Sequence, residues 1–283
     1  MRKPRQHLSG SPANNKNKSS SKSPIKISAN HATKQQQASA LINRGKLQEA
    51  EEIYKDLIAA GVSNHIIYGK LAALCAMQDK VDESIKLIRH ALNLEPSFPE
   101  AFTDLGIVLK KRGKLSAAIR SYKIALKLQP NSPEAQYNLG NALHIEGRLD
   151  AAIRSYRIAL QLKPNSPDIH KNLGNALKDL GDINAAINSY NIALQLKPNC
   201  PDTCINLSMA ELLAGDYKSG WHRYEYRFQS KEDREILHAN PSCRLWKGEA
   251  LMRGEKLLLV SEQGLGDTLQ FMRYATVLSK QGL

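Results

Sequence analysis

The chain has 283 residues, of which 42% are hydrophobic and only 6% aromatic, and it carries a formal charge of +13. That length suits one elongated repeat array or about two compact domains, and with ten Tyr among sixteen aromatics the core must rest on Leu, Ile and Ala. Residues 1–30 hold seven Lys or Arg and no acid, and 235–283 hold six basic against five acidic residues, so a nucleic acid is not the expected partner of the globular part.

Residues 1–30 are rich in Ser, Asn, Lys and Pro, the make-up of a disordered basic arm. No apolar stretch follows the charges, so the arm is not a secretory signal. Its plain reading is a solvated tail; a transit peptide or an electrostatic contact with an anionic surface are the alternatives. No apolar run in the chain approaches the roughly 18 residues of a membrane span, so no membrane insertion is expected. Four cysteines, Cys75, Cys200, Cys204 and Cys243, are too sparse for a disulfide framework and read as reduced thiols of a cytoplasmic protein. Cys200 and Cys204 share a helix packing face. Neither His170 nor His222 lies at a matching ligand spacing, so no metal is expected there.

From residue 99 the chain repeats itself. PEAFTDLGIVLKKRGKLSAAIRSYKIALKLQP, PEAQYNLGNALHIEGRLDAAIRSYRIALQLKP and PDIHKNLGNALKDLGDINAAINSYNIALQLKP begin at Pro99, Pro133 and Pro167, a spacing of 34 residues. Each recurring slot has a physical reason. Leu105-Gly106, Leu139-Gly140 and Leu173-Gly174 set a bulky and a tiny residue side by side on a first helix, which lets a second helix approach. Gly113, Gly147 and Gly181 suit the turn between the helices. Ala118, Ala152 and Ala186 are the small residues of the second helix, Tyr122, Tyr156 and Tyr190 fill space beside them, and Ala125, Ala159 and Ala193 meet the next unit. Pro130, Pro164 and Pro198 stop the second helix.

The register decays outward. From His65 it keeps Leu71, Ala72, Ala91 and Pro96 but has Asp79 at the turn and Ser84 at the small slot. From His31 it keeps Gly45, Ala50 and Tyr54, and its first helix is polar, as befits a cap. From Pro201 it keeps Leu207, Gly215, Gly220 and Tyr224, while Arg227 replaces the Ala. Six units follow: 31–64, 65–98, 99–132, 133–166, 167–200 and 201–234. Period and pattern resemble the tetratricopeptide repeat (TPR), a helix–turn–helix unit whose apolar face is buried only by stacking. The resemblance implies an all-α solenoid, a right-handed superhelix whose first helices line the concave side.

One stripe of each first helix is left over once the packing slots are filled. With Pro99, Pro133, Pro167 and Pro201 as position 1, position 6 reads Asp104, Asn138, Asn172, Asn206 and position 9 reads Ile107, Asn141, Asn175, Met209. Asn is a mediocre helix former, but its amide offers an acceptor and two donors, so a row of Asn can grip an extended backbone of any sequence. This resembles the asparagine ladder in the TPR superhelix of O-linked N-acetylglucosamine transferases, matched at Asn138, Asn172 and Asn206. Asp104 departs from it, and Lys70 in the preceding unit departs further. The alternative is that duplication alone copied idle Asn residues. Charges of both signs, Glu100, Lys111, Glu134, Asp168 and Asp179, argue against a phosphate-binding surface. Lys110, Lys111 and Arg112 read as a solvated helix end.

After residue 234 the period ends. Residues 235–255 read as a linker anchored by Trp246, and 256–283 as the truncated start of an α/β domain: the strand KLLLVS, the loop EQGLGD and a helix. A glycine loop before a helix turns backbone N–H groups toward an anion. Neither a dinucleotide fingerprint, which would need Gly at Leu269, nor a P-loop is complete. GWHRYEYRF, LWKGEAL and LLLVSEQGLGDTLQFMRY together resemble bacterial TPR proteins joined to a GT-B glycosyltransferase-like domain, and the Gly-Asp after the strand resembles the heptosyltransferase pattern. The resemblance carries over only to Gly264, Gly266 and Asp267, as an acceptor or phosphate loop with Asp267 a candidate base. The alternative for Asp267 is a helix N-cap. One strand and one helix cannot bury a sheet, so the 283-residue chain is expected to be non-catalytic, with no cofactor of its own. A sugar nucleotide is implied only if the full GT-B domain exists. The expected function is a protein- or peptide-binding scaffold; the alternative is the acceptor-recognition portion of a sugar-nucleotide-dependent glycosyltransferase.

Overall fold

The computed structural model of the chain describes residues 24–229, and every regular element among them is a helix. In order these are α1 (Pro24–Asn43), α2 (Leu47–Ala59), α3 (His65–Met77), α4 (Val81–Leu94), α5 (Pro99–Lys111), α6 (Leu115–Leu128), α7 (Pro133–Ile145), α8 (Leu149–Leu162), α9 (Pro167–Leu180), α10 (Ile183–Leu196), α11 (Pro201–Leu213) and α12 (Tyr217–Tyr224), with a closing 3-10 turn, Glu225–Gln229. The expected linker at 235–255 and strand–loop–helix at 256–283 lie outside the described residues. The helices fall into two compact units that divide between Asp104 and Leu105, within α5.

In the first unit α1 packs on α2, α2 on α3 and α3 on α4. Its core gathers Ala50, Tyr54, Leu57, Ile67, Leu71, Leu74 and Cys75. The helix expected from residue 31 begins earlier, at Pro24. Proline is preorganised for a first helical turn, and no Gly or Pro breaks the chain again before Gly45. Asp79, where the later repeats have Gly, adopts φ 61°, a left-handed geometry that Asp tolerates better than most residues. Ser84, at the small slot, is fully buried and donates its hydroxyl to the Ala72 carbonyl at 2.8 Å. The Glu51 carboxylate on α2 is buried and accepts from Gln78 (2.6 Å) and Lys80 (2.7 Å) beyond α3 and from Lys55 on its own helix. Burial alone would raise the pKa of Glu51, but these donors outweigh it and hold the carboxyl down at about 2.

In the second unit one motif recurs. Each first helix packs on the second helix of its pair, α7 on α8, α9 on α10 and α11 on α12. Each second helix packs on the next first helix, α6 on α7, α8 on α9 and α10 on α11. Pro133 opens α7 behind Ser132, whose hydroxyl accepts from the Ala135 N–H at 3.2 Å. Gly147 leaves α7 at φ 78°, a conformation that other residues enter only with strain. The tyrosine slot explains the glycine before it: a Cβ added at Gly140 would stand 2.7 Å from the Tyr156 ring, and Gly106 and Gly174 face Tyr122 and Tyr190 likewise. These rings are fully buried among Ala118, Ala152, Ala159 and Ala186.

The last pair departs from the pattern. α12 has eight residues where α6, α8 and α10 have 14. Arg227 stands where Ala125, Ala159 and Ala193 pack, and a guanidinium does not fit a slot made for a methyl group. Instead it pairs with Glu225 at 2.9 Å and lies 4.6 Å from the centre of the Tyr224 ring, and the backbone tightens to 3-10 geometry.

Candidate functional site

The expected stripe maps onto α7, α9 and α11, first helices of successive pairs that touch one another in the second unit. Asn138 and Asn141 lie on α7, Asn172 and Asn175 on α9, and Asn206 on α11. Four of these amides, Asn141 with Asn172 and Asn175 with Asn206, bond in pairs across helices. Asn172 donates from Nδ2 to Oδ1 of Asn141 at 2.9 Å and to the Tyr137 hydroxyl at 3.0 Å. Asn206 donates from Nδ2 to Oδ1 of Asn175 at 3.1 Å. Each acceptor takes a second bond from the tyrosine of its own pair: the Tyr156 hydroxyl donates to Asn141 and the Tyr190 hydroxyl to Asn175, both at 2.7 Å.

The tyrosines are the physical cause. Their rings are buried, and a buried hydroxyl without an acceptor is costly. Burial, helped by Tyr137 beside Tyr156 and by Asp179 near Tyr190, pushes both phenols well above their ordinary pKa. They therefore stay protonated and donate. This corrects the expectation that the whole stripe is left over after packing. Asn141 and Asn175 are engaged as acceptors for their own repeat and for the next one. Tyr137, which sequence reasoning passed over, belongs to the same network. The recurrence of Asn fifteen residues before Tyr, at 141 with 156 and 175 with 190, was the available signal.

What the network leaves is complementary. Asn141 and Asn175 keep their Nδ2 donors, and Asn172 and Asn206 keep their Oδ1 acceptors; all four side chains are half-buried. Asn138 differs. The equivalent of Asn141 one repeat earlier is Ile107, an apolar residue packed on the core. Asn138 is only 9% exposed and makes no side-chain hydrogen bond among the described residues. Asp104 lies half-buried on α5 in the first unit, and Met209 is exposed on α11. At the far end of the stripe His144 Nε2 lies 2.7 Å from Asp179 Oδ2, a further tie between α7 and α9.

Lys110, expected in a solvated helix end, is half-buried, and burial pushes its ammonium below the ordinary pKa. Cys200, expected within a helix face, is the residue capping α11, while Cys204 is buried inside that helix. Among the described residues one group of potential metal ligands comes together: Glu51, Cys75 and Glu83, within 4.8 Å of one another. Glu51 there already holds two lysines, and burial, then Glu83 and Glu51, push the Cys75 thiol up to about 11. Gly264, Gly266 and Asp267 lie outside the described residues. No helix of the described residues is long and apolar enough to cross a membrane.

Family sequence models described as tetratricopeptide repeat match residues 36–101, 103–167 and 167–200, together more than half of the chain. No curated protein sequence matches. Among solved structures the chain is similar to pilF of Pseudomonas aeruginosa, at 16% identity and a TM-score of 0.62, over 71% of this chain and 90% of that one. It is similar to MamA at 22% identity and a TM-score of 0.52, over 58% of this chain and 96% of that one. It is also similar to YrrB, described as a TPR protein with an unusual peptide-binding site, at 17% identity and a TM-score of 0.54, over 64% of this chain and 94% of that one.

Proposed function

The chain belongs to the tetratricopeptide-repeat family, and we propose that it is a scaffold that holds an extended segment of another protein along α7, α9 and α11. The observation that carries this is Asn138, a nearly buried amide with no intramolecular side-chain partner, at the head of a row of half-engaged amides. Its amide atoms keep a little solvent exposure, and a ligand that supplies a donor and an acceptor in place of that water gains the net value of each hydrogen bond. An extended backbone presents both, and the free Nδ2 and Oδ1 atoms on α9 and α11 extend the same recognition over two further repeats. The peptide-binding site ascribed to YrrB supports the reading by analogy of fold. The six 34-residue units from residue 31 to 234 are part of the same proposal.

The test starts from a linear peptide selected from a random displayed library on the full chain. Asn138→Ala removes no intramolecular side-chain hydrogen bond. Together with Asn172→Ala and Asn206→Ala it should weaken that peptide about ten- to thousand-fold, at about 0.5–1.5 kcal/mol for each bond. Unchanged affinity in the triple variant, with helicity intact, rejects the ladder.

A second reading rests on the resemblance at residues 220–274 to TPR proteins joined to a GT-B domain. In it the same face presents an acceptor protein to a glycosyltransferase domain that uses a sugar nucleotide, with Gly264, Gly266 and Asp267 in its first loop. Mass spectrometry of a bound acceptor incubated with the full-length gene product and sugar nucleotides discriminates: a sugar adduct favours the enzyme, and binding without modification favours the scaffold.

A further inference from the structure

The opposite elements of the second unit carry a surface that the amide ladder does not use. On α6, α8 and α10 an Ile and a Leu four residues apart recur in the open: Ile124 and Leu128, Ile158 and Leu162, Ile192 and Leu196, each 38–43% exposed. That spacing puts the two on one ridge of the helix. Cations border the ridge. Arg120 precedes Ile124 by one turn, with Lys123 and Lys127 alongside; Arg154 precedes Ile158, with Arg157 alongside, and all five are exposed. None of the five forms an ion pair among the described residues. The acid on these two helices is Asp150, in the first turn of α8. On α10 the flanking slots hold Asn188 and Asn191. There an open recess of about 780 Å³ is lined by Asn188, Asn191, Ile192, Leu194, Gln195 and Arg223.

We propose that the exposed face of α6, α8 and α10 is a second binding surface, and that it takes an acidic amphipathic helix of a partner protein. The apolar ridges are covered by Leu- or Ile-like side chains, and the unpaired Arg and Lys groups receive carboxylates. The recess at α10 seats the end of the segment that carries amide-compatible polar groups. Charge complementarity selects this occupant over a basic segment. A nucleic acid fits less well: the tyrosines of these helices are buried, so no aromatic platform is offered for bases, and the Ile–Leu ridges would gain nothing against phosphates. A bilayer fits less well too, because the apolar side chains are more than half covered and α6, α8 and α10 themselves carry no Trp or Phe to anchor the face. The surface is independent of the amide face, so either can fail without the other.

The probe is a fluorescein-labelled peptide of Glu and Leu in helical spacing, titrated against the full chain. Its Lys/Leu counterpart, phosphatidylserine-containing vesicles and poly(U) run in parallel. The Glu/Leu peptide should bind best, and more weakly as salt rises. R120E/K123E/R154E/R157E should weaken it at least about tenfold, as should I124S/I158S, while N138A/N172A leaves it unchanged. Both surface variants alter exposed side chains, and far-UV circular dichroism verifies that their helices persist. Equal binding of the Lys/Leu peptide, a preference for vesicles or poly(U), or full affinity in both folded surface variants overturns the proposal.

Discussion

Asn141→Leu tests whether the amide row is structural at its base. Leu keeps the branched four-heavy-atom shape, slightly enlarged, but removes the acceptor for the Tyr156 hydroxyl, bonded at 2.7 Å, and for Asn172, bonded at 2.9 Å. The Tyr156 hydroxyl belongs to a fully buried residue, so no water replaces the lost acceptor at once. Leaving such a donor unsatisfied costs about 1–3 kcal/mol. Asn172 loses less, because it retains Tyr137 at 3.0 Å. Tyr156→Phe removes the donor itself and should cost about 0.5–1.5 kcal/mol, the net value of one hydrogen bond. In the double variant the stranded donor no longer exists, so the combined loss should fall short of the sum by about 1 kcal/mol or more. Urea denaturation followed by circular dichroism reads all four corners of the cycle. Because stacked repeats can lose two-state behaviour, equal slopes across the four chains are required before the free energies are compared. Losses that add within about 0.3–0.5 kcal/mol would mean that Asn141 and Tyr156 do not act together, and the account of the network would fail.

Gly140→Ala places a Cβ 2.7 Å from the Tyr156 ring; the ring must shift, and denaturation should show a loss of about 1–3 kcal/mol. Ala159→Arg sets a cation into a fully buried methyl slot and should cost at least as much, with unfolding at lower urea as the readout. Glu51 predicts an acid limb. Its folded pKa of about 2 lies below the ordinary 4.5, so its stabilisation is complete above the unfolded value and is lost as pH falls from there toward 2. The full effect is about 3 kcal/mol. Denaturation midpoints measured across that range should drop in the parent chain, and Glu51→Gln should flatten that part of the profile.

The helix starts at Pro99, Pro133, Pro167 and Pro201, the turn at Gly147 and the meeting of Gly140 with Tyr156 follow from a 34-residue period and local sterics. They were legible because each depends on residues within one repeat. The Asn pairs were not: Asn141 with Asn172 and Asn175 with Asn206 are separated by 31 residues, and periodicity places them on one stripe without saying that they bond. The stripe therefore looked free when Oδ1 of Asn141 and Asn175 and Nδ2 of Asn172 and Asn206 are already engaged. Glu51 escaped for the same reason, since Lys80 and Gln78 reach it from the next pair. The short α12 was foreshadowed by Arg227 in the Ala slot, but its 3-10 ending depends on where that guanidinium finds Glu225 and Tyr224.

The side-chain amide resonances of Asn138, Asn141 and Asn175 offer the most direct reading of the proposed binding face on α7, α9 and α11. They would be followed by nitrogen-edited NMR while the library-selected peptide is titrated into the full chain. Occupation of the face predicts that the Asn138 NH₂ pair shifts most and exchanges more slowly with solvent, with Asn141 and Asn175 moving along the same saturation curve. Saturation of the chain with these three signals unmoved would place the peptide elsewhere and contradict the account.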